Sequence, residues 1–416
     1  MTFDLVLRNA RLAGDGEAGG AASATVDISV AGGRIAAIEP RISGGGESID
    51  ARGQFVSPGL VESHFHLDKA LILDRCEPPS DRRATDHMKR TAAIKHTFTE
   101  EDVYARASAT LEQCLLNGVT HMRTQVEVDP NVGLRGYAAI ERLVRDYAWG
   151  IDLQLCVFLQ EGWTNVEGAE ANVVAALKRG AQAVGGAPRY DTNGPGQIER
   201  IFALAREFDV DVDIHLDFGH TTHDLYIFQV CDLADRLGWG GRVTAGHGTK
   251  YSCLPLEELD ALGRRMAASG VALAVLPATD LFNMGRHQDH SVIRGIADAN
   301  ALIAQGANCS ISTNNVMNPF TPYGDCSLVR IANLYANVLQ RGSEADLSDC
   351  FAMLTDRPAR ILRRADYGIA AGNPADLVVW NAKSPAEVVA TVAQPVMGFK
   401  RGRRIFTREI GKLLRP

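Results

Sequence analysis

Between residues 56 and 365 the chain alternates two hydrophobic periods, and this alternation constrains the fold more than any other feature. Short apolar runs, rich in β-branched residues, begin at 56 and recur at 119–128, 152–160, 183–187, 210–216, 242–247, 271–277 and 309–313. Segments with apolar residues at helical spacing fall between them, for example at 168–179, 197–208, 256–268 and 291–305. Brief apolar runs bounded by turn residues read as buried strands, and a 3.6-residue recurrence reads as amphipathic helix. Thr99-Glu-Glu-Asp102 opens one such helix with a capping hydroxyl and early acids, and Asn117-Gly118 closes it. The polar stretch 75–98 reads as a loop with a short helix. Eight β/α units of this kind predict a (β/α)8 TIM barrel rather than an open sheet.

The two ends of the chain are written differently. Residues 4–9, 25–30 and 34–38 alternate apolar with polar residues between Gly-rich turns at 14–20, 32–33 and 44–46. The same style returns at 375–380, 396–400 and 404–406. Such alternation predicts half-buried antiparallel strands. A small β-sandwich domain built from both termini, 1–55 and 366–416, is therefore expected beside the barrel at 56–365.

Composition narrows the function classes. The chain has 416 residues, 46% of them hydrophobic, enough for a large core. A net charge of −7 argues against nucleic acid as a partner. No apolar window approaches about 18 residues, so no membrane span is expected. The N-terminus lacks a basic segment followed by an apolar one, so no signal peptide is read. Eight scattered cysteines with no C-x-x-C pair read as reduced thiols in a cytoplasmic protein. A homo-oligomer is expected, as is common for barrels that carry a side domain.

Chemistry in a (β/α)8 barrel gathers at the C-terminal strand ends. The first run closes Glu62-Ser-His-Phe-His-Leu-Asp-Lys69. Side chains at i and i+2 of a strand share a face, so His64 and His66 leave in parallel, as two ligands of one ion would. The fifth strand ends Asp213-Ile-His-Leu-Asp217, which adds His215. The sixth ends at His247, the seventh at Asp280 and the eighth at Ser312-Thr-Asn-Asn315. Three neutral imidazoles and an open position make a catalytic metal site, whose ion would acidify its water toward neutrality. His247 is a candidate proton shuttle. Arg123, Gln125, Gln160, Arg189, Asn283 and Arg286 suit a planar ligand rich in hydrogen-bonding groups. His87, His96, His121, His287 and His290 are read as structural.

These residues together resemble the amidohydrolase superfamily, in its cytosine deaminase and N-isopropylammelide amidohydrolase branch. The segments carrying the resemblance are Val56-Ser-Pro-Gly-Leu-Val-Glu-Ser-His-Phe-His-Leu-Asp-Lys69, Gly118-Val-Thr-His-Met-Arg-Thr-Gln-Val-Glu-Val-Asp129, Gln160-Glu-Gly162, Asp213-Ile-His215, Arg242-Val-Thr-Ala-Gly-His247 and Tyr367-Gly-Ile-Ala-Ala-Gly-Asn-Pro-Ala-Asp-Leu-Val-Val-Trp380. The resemblance implies His64, His66 and His215 as ligands of one divalent ion (Zn, Fe or Mn). It implies His247 and Lys69 in catalysis and Gln160 on the substrate ring; Lys69, Arg123 and Asn314 are further candidates for substrate contact. The absence of a lysine at the end of the fourth strand points to one metal rather than two.

Two departures bear on activity. Asn314 stands where the family has an aspartate that binds metal and takes a proton from water. An amide offers a carbonyl oxygen but neither charge nor basicity, so Asn314 is a weak ligand. Asp280 or His247 would have to replace the missing base. Phe218 stands where cytosine deaminases have a glutamate that shuttles a proton, so ordinary cytosine deamination is not expected. The expected activity is metal-dependent hydrolysis of a C–N bond in a small nitrogen heterocycle or cyclic amide. Two alternatives stay open, both raised by Asn314: an enzyme of the same fold with weak or no metal, and a non-catalytic ligand-binding homologue.

Overall fold

Alternating apolar residues near both ends of the chain bury one face of each of two small sheets. The computed structural model describes residues 3–13, 25–81, 83–409, 411 and 413–414, and the Gly-rich turn expected at 14–20 lies outside them. In the first sheet, β1 (Leu5–Ala10), β2 (Val26–Ala31), β3 (Arg34–Glu39) and β4 (Glu47–Asp50) lie in the order β3-β2-β1-β4. β1 is antiparallel to β2 but parallel to β4, a departure from the all-antiparallel expectation. β4 itself went unread because only Ile49 of its four residues is buried. In the second sheet β5 (Val56–Pro58) pairs with β14 (Leu377–Trp380), followed by β15 (Pro395–Lys400) and β16 (Arg403–Thr407). Leu5, Leu7, Ile28, Val30, Leu377 and Phe399 from both sheets share one core.

The middle of the chain forms an eight-stranded parallel sheet in sequential order. Its strands are β6 (Leu60–Phe65), β7 (Val119–Glu127), β8 (Asp152–Leu159), β9 (Ala183–Gly186), β10 (Asp211–Leu216), β11 (Val243–His247), β12 (Val271–Val275) and β13 (Cys309–Ile311). A helix follows most strands and packs its apolar stripe outside them: Leu111, Leu143, Ile201, Val230 and Met266 lie in one core with Val126, Val157 and Ile214. The cylinder closes where β6 meets the end of β13. Phe65 and Asn314 form a parallel bridge, His66 N donates to Asn314 O at 2.9 Å, and Ser63 Oγ lies 2.8 Å and 2.7 Å from the Ser310 and Ser312 hydroxyls. This is a (β/α)8 barrel.

Element ends move where a single residue dictates it. The run expected to continue to 277 stops at Val275, because Pro277 occupies the first turn of a helix, Pro277–Asn283. The helix expected over 291–305 is confined to Ala299–Ala304, where the Asp298 side chain accepts from Ala301 N as a cap. The helix after Thr99 forms as expected over Glu100–Leu116, with the Thr99 side chain accepting from Asp102 N. All eight cysteines are free, and no helix among the described residues is long and apolar enough to cross a membrane.

The small sheets are tied to the base of the barrel by buried charge. Lys400 Nζ on β15 donates to Asp376 at 2.7 Å, to Asp152 at 3.0 Å and to the Thr120 carbonyl at 3.1 Å. His121, Asp152 and Asp376 crowd together here, at the opposite end of the barrel strands from His64 and His66. The Lys400 ammonium, with Arg364 and Arg401 on Asp152, balances the two carboxylates of this cluster, which is a structural junction.

The run from 56 to 65, read as one strand, is two. Gly59 divides β5 from β6, and its N–H donates to Asp376 O across the second sheet. A Cβ on Gly59 would stand 2.1 Å from Thr120 Oγ1 and 2.3 Å from Thr120 Cγ2. Gly59→Ala should therefore cost about 2 kcal/mol in urea unfolding, as overpacking of a closed core does. Thr120→Gly in the same chain should return part of that loss; additive losses would show that the crowding lies elsewhere.

Candidate active site

β6 delivers two imidazoles to the open end of the barrel. His64 and His66 are buried, and both ring Nε2 atoms approach that of His215 on β10, at 3.2 Å and 3.1 Å. A neutral imidazole carries one N–H, so three Nε2 atoms meeting this way cannot all be satisfied by one another. Burial holds His66 well below the usual histidine range, with the Lys69 charge adding to it. Burial does the same to His215, with His64 next in effect. The rings therefore offer lone pairs. A tetrahedral ion about 2.0–2.1 Å from each nitrogen would set the nitrogens roughly 3.3 Å apart, close to the spacing found.

The supports of these rings fix which nitrogen faces inward. His64 Nδ1 donates to Asp213 Oδ1 at 3.0 Å, and the Gln125 carboxamide lies 3.2 Å from the same nitrogen. Asp213 in turn lies 3.6 Å from Arg123 Nη1. Gly246 leaves room for the His64 ring: a Cβ there would stand 2.9 Å from His64 Cε1. Asn314 is held in the left-handed region (φ +66°) with its carbonyl bonded to His66 N. Its side-chain Oδ1 is buried with no hydrogen-bond partner, in a pocket also lined by His66, His215 and His247. An orphaned carbonyl oxygen costs about 1–3 kcal/mol, a loss that a cation beside it would remove. Three imidazoles and one neutral amide oxygen thus fit a single divalent ion. β9 ends Gly185-Gly186, with no lysine to bridge a second.

Around this centre lie roughly 470 Å³ of space not filled by atoms, the open mouth included. Lys69 is buried and donates to Glu127 Oε1 at 2.5 Å and Gln160 Oε1 at 3.2 Å, with its ammonium 4.2 Å from the centroid of the Phe320 ring. Lys95, from the helix His87–Lys95, meets the other Glu127 oxygen at 2.5 Å. Burial alone would raise the Glu127 carboxyl, but the two lysines outweigh it and hold it at about 2. His247 ends β11 with φ +77°, and its Nδ1 donates to Asp280 Oδ1 at 2.5 Å. Phe158 stacks on His215 and Phe218 stands edge-on to His247, closing the pocket with apolar rings.

Two sequence expectations need correction. Arg123 does not reach the pocket. It lies one layer below, beside Gln154 on β8, bonded to Asp211 Oδ2 at 2.8 Å and to Gln154. Barrel interiors fill in layers, and two residues of strand separate Arg123 from Gln125 at the level of His64. Asp280 is fully buried behind His247 and reaches the pocket only through that ring; its second oxygen accepts from Leu276 N. Burial raises its carboxyl and His247 pulls it back. Arg189 and Asn283 do line the pocket. His87, read from sequence as structural, lines it too, through a helix that no hydrophobic period had marked.

The comparisons with known proteins agree with this geometry. A model of the amidohydrolase family matches residues 47–151 and 158–406. An N-isopropylammelide isopropyl amidohydrolase of Pseudomonas sp. (strain ADP) is 28% identical over 419 residues, spanning 98% of each chain. The solved structure of a Klebsiella pneumoniae 5-methylcytosine deaminase liganded with 5-fluorocytosine superposes with a TM-score of 0.91 at 27% identity, over 99% of each chain. That of a Burkholderia multivorans N-isopropylammelide isopropylaminohydrolase superposes with a TM-score of 0.82 at 25% identity, over 96% of this chain and 97% of that one.

The Asp213–His64 bond generates a test. Asp213→Asn keeps the shape but withdraws the charge that orients the ring, and should weaken divalent-ion affinity by about 10–100-fold. Competition against a chromophoric chelator reads this directly; an unchanged affinity would mean the ring is held by Gln125 and packing alone.

Proposed function

The chain belongs to the amidohydrolase family and is a hydrolase of C–N bonds other than peptide bonds; on that premise we propose that it hydrolyses a C–N bond of a small nitrogen heterocycle or cyclic amide with one divalent ion. The observation that carries the reading is the convergence of three Nε2 atoms beside an orphaned Asn314 oxygen, at the floor of a pocket that also presents Lys69, Gln160 and His247. His64, His66 and His215 would hold the ion, with Asn314 as a neutral fourth contact. When bound, such an ion supplies Lewis acidity and a water of lowered pKa.

The side chains do the remaining work. Gln160 turns its Oε1 to Lys69, which leaves its N–H groups for an acceptor on the substrate ring. Lys69, held in place by its ion pair with Glu127, donates to an oxygen or nitrogen where negative charge develops. His247 has its Nδ1 proton committed to Asp280, so Nε2 faces the pocket as an acceptor. It takes a proton from the attacking water and returns it to the leaving nitrogen, while the Asp280 carboxylate balances the imidazolium between the two events. This dyad supplies the base that Asn314 cannot. Phe218 offers no proton, so the ordinary cytosine reaction is not part of the proposal.

Elemental analysis of protein purified without chelator should find about one Zn, Fe or Mn per chain, and His215→Ala should lose both metal and turnover. Turnover that survives His215→Ala would sink the proposal. An empty wild type beside a loaded Asn314→Asp variant would instead mean that the neutral amide has disabled the site. Asp280→Asn should lower kcat by about 10²–10³ with KM changed only a few-fold, and His247→Asn with it should add little, since the pair acts as one unit.

A further inference from the structure

The chain carries 50 acidic and 43 basic residues, yet the way into the pocket holds no acid. The pocket shares His87, Arg189, Phe218 and Asn283 with an outer cleft of roughly 670 Å³, whose far wall is Arg286, His220 and His287. Among the described residues, no Asp or Glu side chain lines either space. Glu127 and Asp280, which stand behind the inner pocket wall, are engaged by Lys69 with Lys95 and by His247.

The two arginines are held as flat donors. Arg189 lies 4.8 Å from the centroid of the Phe218 ring and donates Nη1 to the Phe218 carbonyl at 3.2 Å. Among the described residues it has no carboxylate partner, and it is exposed to the cleft. Arg286 lies 4.7 Å from the Phe282 ring centroid. Between them His87 reports the local field: burial, then Arg189, Lys69 and Arg286, push its imidazole down to about 3. An opening whose lining carries arginines and no carboxylate draws anions toward it.

We propose that the substrate carries a carboxylate on the edge of its ring away from the scissile C–N bond, seated between Arg189 and Arg286 in the outer cleft. This rests on the reading of the inner pocket as the reaction site. A planar guanidinium matches a carboxylate with two parallel hydrogen bonds, which distinguishes it from a neutral ring substituent of the same size. The inner pocket then reads the ring through Gln160 and Lys69, and the cleft selects the charge.

The test uses two matched pairs of probes, 5-methylcytosine against cytosine-5-carboxylate and pterin against pterin-6-carboxylate. Binding to the full-length protein is read by calorimetry, and metal content is measured on the same samples. In at least one pair the carboxylated member should bind about tenfold tighter or more. Arg189→Gln with Arg286→Gln should erase that preference while melting temperature and metal content stay as in the wild type. Equal or weaker binding of the carboxylated member in both pairs would overturn the inference, as would a preference that survives the double substitution. Loss of metal-dependent turnover with the arginine-dependent preference intact would count against the proposed reaction alone and leave the carboxylate subsite standing.

Discussion

The seam where the first and last barrel strands meet carries the site. β6 brings His64 and His66, and Asn314 follows β13. The bridge between Phe65 and Asn314, with the His66 amide on the Asn314 carbonyl, is at once the closure of the cylinder and the placement of the pocket floor. Glu62 reinforces the seam from inside by accepting from Thr313 N at 3.0 Å, and burial pushes its carboxyl up to about 7. Because closure and placement use the same atoms, the site has no existence in an open or partly formed sheet. Asparagine tolerates the left-handed backbone found at 314, and the seam fixes it there.

The interior tolerates unusual amounts of charge because each charge is answered. A lysine buried alone would shed its proton. Here Glu127 stands between Lys69 and Lys95, and Lys95 also reaches Asp129 and Glu161. Asp211 takes both Arg123 and Arg242, and Lys400 sits among the acids at the barrel base. Removing Glu127 would leave Lys69 buried with no ion-pair partner among the described residues, which is far more costly than the pair is stabilising. The imidazoles of the site are the exception. His66 Nδ1 has Asp68 Oδ1 no nearer than 4.0 Å and His215 has the Gly186 backbone, so these two rings are held more loosely than His64.

Much of this was legible in the residues. Eight alternations of period gave the barrel, and alternation at both ends gave the small sheets. His64, His66, His215 and His247 could be read because each ends a strand, where the barrel gathers its chemistry. Depth was not legible. Arg123 and Gln125 share a face of β7, and only the layering of side chains inside the cylinder decides that one touches His64 and the other lies beneath it. Asp280 fell on the correct strand end, but a proline two residues after β12 turned it behind His247. His87 could not be found because its helix is nearly unpatterned and acquires a role only by folding over the mouth of the barrel.

The small sheets also dictate an order of assembly. β5, immediately ahead of the strand that carries His64, finds its partner β14 only at Leu377–Trp380, and Gly59 N waits for Asp376. A ribosome makes β5 long before it makes β14. Until then β6 has β7 beside it, with Leu60 N on the Gly118 carbonyl, while β5 lacks its sheet partner. Long-range closures of this kind are slow, and they leave apolar strand edges open while they wait. Strands far apart in the sequence thus lock each other, so a nascent chain cut short before β14 would carry both histidines of β6 behind a β5 that lacks its sheet partner.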